Sequence, residues 1–85
     1  MIPKHTQEAL DRYVNQHIMP GSFLLAVLSN RLFDAVARAD RENLAALKDI
    51  CLYIYNELPG DCWGSSDIVY KWVESRFYQS MKESC

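Results

Sequence analysis

The sequence predicts an all-α fold, a compact bundle or orthogonal array of about four helices, with residues 1–85 forming a single helical domain. Three observations carry that reading. Apolar residues recur at steps of three and four along separate segments. The breakers Pro20-Gly21 and Pro59-Gly60 fall between those segments. No segment reads as a strand once its flanking helix formers are weighed.

The first helix is expected over residues 7–18, where Leu10, Tyr13, Val14, His17 and Ile18 share one face. Thr6 is placed to cap it, Glu8 suits the positive end of the dipole, and Pro20 stops it. The second is expected over residues 23–39, with Ser22 as cap. Leu25, Leu28, Leu32, Ala35, Val36 and Ala39 form its stripe, and the stripe keeps its phase across Ser29-Asn30, which favours one continuous helix. Residues 23–28 are apolar all round, so that turn must be covered on every side. The third is expected over residues 41–58, capped by Asp40, with Leu44, Leu47, Cys51, Ile54 and Leu58 facing inward. Residues 50–55 are rich in strand formers, but the helix formers Leu44 to Lys48 before them decide for helix. The fourth is expected over residues 66–82, capped by Ser65, burying Val69, Trp72, Val73, Phe77 and Met81.

Composition bounds the function. A net charge of −2 and a pI near 5.5 do not suit a protein that coats or reads DNA. The longest apolar run, residues 23–28, is far short of the ~18 residues that a membrane span requires. Residues 1–6 do not read as a signal peptide, and three widely spaced cysteines, Cys51, Cys62 and Cys85, read as reduced thiols in a cytosolic protein. Cys51 falls on the inward stripe of the third segment and is expected to be buried. An 85-residue chain closes only a small core, and the apolar turns at 23–28 and 50–55 exceed what four short helices cover, so a homo-oligomer is expected.

Catalysis and metal binding lack a signature. His5, His17 and the cysteines form no ligand pair at helical spacing, so no metal and no cofactor are expected. There is no GxSxG elbow, and no nucleophile, base and orienting group can be assembled, so the chain is read as not an enzyme.

Two features point to binding. Pro20-Gly21-Ser22-Phe23 is a glycine turn entering a helix, the geometry in which free amides meet an anion, although simple capping is the favoured explanation of such a turn. Gly21, Ser22 and Phe23 are therefore candidate ligand residues, with Arg31, Arg38 and Arg41 as the cations that a phosphate needs. Those arginines lie too far along their own helices to reach Gly21 within one subunit unless the chain folds back; a neighbouring subunit could otherwise supply them. Seven of the ten aromatic residues lie in the last third or so of the chain. Trp63, in a loop, and Tyr13 are the candidates to stack on a base, with anchoring to the core as the plainer role of Trp63.

The stretches Pro20-Gly21-Ser22-Phe23-Leu24, Ala26-Val27-Leu28-Ser29-Asn30 and Cys62-Trp63-Gly64-Ser65, with Ile2-Pro3-Lys4-His5-Thr6 and Ala37-Arg38-Ala39-Asp40, resemble small uncharacterised proteins of bacteriophages and prophages. The resemblance spans most of the chain and brings no assigned chemistry. It implies a phage accessory protein in the host bacterial cytoplasm. Proteins of that lifestyle interfere with host machinery, by sequestering a nucleotide-derived immune signal or blocking a host defence protein. The alternative is a helical adaptor in phage replication, regulation or packaging.

Overall fold

The computed structural model describes residues 2–83, with side chains up to Ser75. The described residues form six α-helices and one 3₁₀ turn, with no strand among them, so the all-α expectation holds. The helices are α1 (Lys4–Gln16), α2 (Ser22–Leu28), α3 (Leu32–Arg38), α4 (Arg41–Ala45), α5 (Leu47–Glu57) and α6 (Ser66–Glu83). The 3₁₀ turn, Gly60–Cys62, joins α5 to α6.

Helix α1 begins earlier than expected because the Pro3 carbonyl accepts from the amides of Thr6 and Gln7. Proline suits that position, having no amide of its own to satisfy. Thr6 is thus not a cap: it is buried inside the first turn, and its hydroxyl donates to Asn43 Oδ1 at 2.5 Å, fastening α1 to α4. The helix ends before Pro20 is reached. His17 adopts a left-handed conformation (φ 57°), and its amide returns to the Tyr13 carbonyl at 3.0 Å.

The expected second helix is two helices. Asn30 takes a left-handed φ of 62°, its amide bonds the Val27 carbonyl, and the Arg31 amide bonds the Ala26 carbonyl at 2.9 Å. Those paired bonds form a Schellman end, and asparagine is the residue after glycine that best tolerates it. The hydrophobic stripe cannot report this break, because the apolar positions keep helical spacing while the axis turns. Phe23, Leu24, Ala26 and Leu28 are buried, but Leu25 and Val27 are only partly so, and the apolar turn is covered on most sides, not on every side. Beyond Asn30 the expected stripe fails: Ala35 is buried, but Leu32 and Val36 face solvent.

The third expected helix bends at Ala46 (φ −99°, ψ 7°) into α4 and α5. Asp40 caps α4 as anticipated, accepting from the Asn43 amide at 2.7 Å. The inward residues of α5 are Ile50 and Ile54; Leu44 and Cys51, expected inside, are exposed. Ser65 accepts from the Ile68 amide at 3.3 Å at the start of α6. Val69 is fully buried and Trp72 and Val73 pack against the core, while the side chains of Phe77 and Met81 lie outside the described residues. The core runs from Leu10 and Tyr13 of α1 through α2 to Ile50, Ile54, Cys62 and Val69.

Candidate functional site

The break at Asn30 decides where the arginines go. It folds α3 back beside α2, so Arg38 returns to the start of α2 within one chain. Gly21, Ser22, Phe23 and Arg38 line one cleft of about 280 Å³ together with His5, Thr6, Asp40 and Asn43. A second hollow of about 190 Å³ adjoins it, sharing Ser22 and Arg38 and adding Arg31 and Asp34. The need for a neighbouring subunit to deliver a cation therefore lapses for Arg38.

The cleft walls are held by bonds already described. Thr6–Asn43 closes one side, and the Asp40 cap fixes the corner between α3 and α4. His5 Nε2 stands 3.8 Å from Asp40 Oδ2 across the mouth, a loose contact between exposed groups. Gly21 is the residue before the first turn of α2, with ordinary backbone angles (φ −65°, ψ 171°) and open space where a Cβ would be. No side chain caps α2, so the plain capping role expected of Ser22 is not the one it has here. Among the described residues no carboxylate lies within ion-pair distance of Arg38. Arg31, by contrast, is held by Asp34 at 2.9 Å.

The other candidates lie elsewhere. Arg41 sits exposed at the start of α4 and lines neither cleft. Tyr13 is 0% exposed and donates to the Cys62 carbonyl at 2.6 Å, so it offers no face to a ligand. Burial raises its phenol pKa above the ordinary tyrosine value. Trp63 is an anchor: its indole N–H donates to the Leu58 carbonyl at 3.3 Å and its ring leans on Tyr55 at 5.8 Å. His5, Thr6, Asp40 and Asn43 were not anticipated as cleft residues. Only the Asp40 cap had a sequence signal, since the meeting of α1 with α4 is a long-range contact.

A serine–histidine contact elsewhere resembles a nucleophile and its base. Ser75 Oγ lies 2.7 Å from His17 Nδ1. The same hydroxyl is 2.6 Å from the Trp72 carbonyl, which only accepts, so the serine proton points there. His17 Nδ1, also 2.7 Å from that carbonyl, must then carry its own hydrogen. A nitrogen that already holds a proton cannot take one from the serine. The imidazole stacks on Trp72 with centroids 4.2 Å apart, and the pair anchors α1 to α6.

No group of histidine, cysteine and carboxylate side chains among the described residues is arranged to hold a metal ion. No described helix is long and apolar enough to cross a membrane. No family model matches the chain, and neither a curated protein nor a solved structure is significantly similar to it.

Proposed function

We propose that this chain is a non-enzymatic binding protein that holds a small anionic, nucleotide-like ligand in the cleft between α1, α2 and the α3–α4 corner. The observation that carries the reading is the convergence of Arg38 with Gly21 and Ser22. Among the described residues, a guanidinium with no carboxylate in ion-pair range, a serine hydroxyl and an unobstructed glycine backbone meet in one hollow. On the same wall Asp40 keeps one carboxylate oxygen, Oδ2, outside its cap hydrogen bond, an acceptor of the kind that a base edge donates to. Combined with the resemblance to phage accessory proteins, this favours sequestration of a nucleotide-derived immune signal in the host bacterial cytoplasm. The second reading, a protein-interaction adaptor, is favoured by the exposed apolar side chains of α3.

The test is a thermal-shift screen against cyclic and linear nucleotides. A ligand at about 100 times its Kd stabilises the folded state by about 2.7 kcal/mol. Gly21→Val places an isopropyl group in the cleft at a position with room for it and no backbone strain. Arg38→Ala removes the free cation. Both variants should fold and lose the ligand-induced shift. Equal shifts in wild type and both folded variants would move the site elsewhere.

A further inference from the structure

Helix α3 is amphipathic in the wrong sense for a monomer. Its polar residues, Arg31, Asp34 and Arg38, turn toward α2 and line the hollow there. Its only buried residue is Ala35, 2% exposed. Leu32, Val36, Phe33 and Ala37 follow one another around the opposite side, with Leu32 62%, Phe33 88% and Val36 43% exposed. Surface helices normally turn such a stripe to the core. The Asn30 break is what rotates it outward.

Beside the stripe lies a small hollow of about 70 Å³, lined mainly by apolar residues, Val27, Leu32, Ala35, Leu47 and Cys51, with Asn30 and Arg31 completing it. A protruding phenyl ring and a largely apolar recess thus sit on one face, a few residues apart. An isologous interface requires that pairing, because the same patch must supply both knob and hole. From these features we infer that a second copy of this chain covers the face, through a two-fold axis at α3 that seats each Phe33 in the other copy's hollow. The stripe itself carries no charge, and Arg31 at the hollow is paired with Asp34, so the face offers no unpaired charge to nucleic acid or a strongly charged protein. Extended along α5 by Cys51 and Tyr55, the patch offers on the order of 500 Å² per copy, counting roughly 200 Å² for each fully exposed large side chain. A standard interface buries about 800 Å² per partner, so the dimer is reversible and concentration-dependent. Phe33 lines neither ligand cleft, and the dimer stands or falls independently of the ligand reading.

Sedimentation velocity from micromolar to millimolar concentration reads the outcome. The wild-type chain should shift from 9.8 kDa toward twice that mass. Phe33→Asp, with its helical circular dichroism retained, should remain a monomer throughout. A wild type that stays monomeric over the whole range overturns the proposal and leaves the stripe to a different protein. So does a folded Phe33→Asp variant that still dimerises. The register has its own test. Cys51→Arg puts a charge at the exposed edge of the hollow while leaving Phe33 in place, and with helicity retained it should weaken the dimer as Phe33→Asp does. A folded Cys51→Arg variant that dimerises as well as wild type would refute the seating of Phe33 in the hollow.

Discussion

Cys62 shows how one buried residue sets a property of the whole chain. Its side chain is fully buried, and its thiol donates to the Pro59 carbonyl at 3.2 Å. Burial, with the nearby Asp61 carboxylate, pushes the thiol pKa up to about 11 from an ordinary value of 9.0. The folded state therefore keeps its proton where the unfolded chain has lost it. Stability from this group is complete below about pH 9 and is lost as pH rises toward about 11, by at most about 1.4 kcal/mol per pH unit. Urea melts across that window should show the decline. Serine at 62 buries a more polar group and does not titrate there, so Cys62→Ser should be the less stable variant by about 1 kcal/mol at pH 7, draw level before about pH 10 and be the more stable of the two by about pH 11. A constant difference across the range would contradict the assignment. Tyr13, buried beside it, contributes in the same direction at higher pH.

The decisive event at the scale of elements is the end of α2. Asn30 sits at a φ of 62°, a region that costs an ordinary L-residue roughly 1–2 kcal/mol. Asn30→Ala should accordingly lower stability by about 1 kcal/mol, while Asn30→Gly should be neutral or stabilising, both read from chemical denaturation. If alanine were tolerated without loss, the straight helix suggested by the hydrophobic spacing would be within reach after all. The same variant reports on the cleft. A helix continuing through residue 30 would carry Arg38 away from Gly21 and weaken ligand binding more than its stability cost explains. Further along, Gly64 takes a φ of 126° that only glycine adopts readily, and its amide reaches the Leu28 carbonyl at 2.7 Å. The end of α2 is therefore tied to the loop before α6 as well as to α3.

Across the whole molecule, the indole of Trp72 is one of the polar links between α1 and α6, beside the contact of Ser75 Oγ with His17 Nδ1. Its N–H donates to the Tyr13 carbonyl at 2.8 Å, and its ring stacks on His17. Trp72→Phe keeps an aromatic ring and removes the donor, and should cost about 1–2 kcal/mol in urea unfolding. A variant as stable as wild type would show that the indole hydrogen bond adds nothing to the joining of the two helices.

The sequence by itself determined the helical class, the cap at Asp40, the burial of most of residues 23–28 and the start of α6, because each depends on residues within a turn or two of one another. It also singled out Gly21, Ser22, Phe23 and Arg38 as candidate ligand residues without settling that one chain unites them. Tertiary structure decided the rest. The hydrophobic repeat is the same for a straight helix and for one that reverses at Asn30, since spacing along the chain says nothing of axis direction. Only the packed fold turns Leu32, Phe33 and Val36 to solvent, brings Thr6 to Asn43 and sets Arg38 beside Ser22. Those contacts join residues well apart in the chain, and they form because covering most of the apolar surface of α2 makes the chain fold back around it.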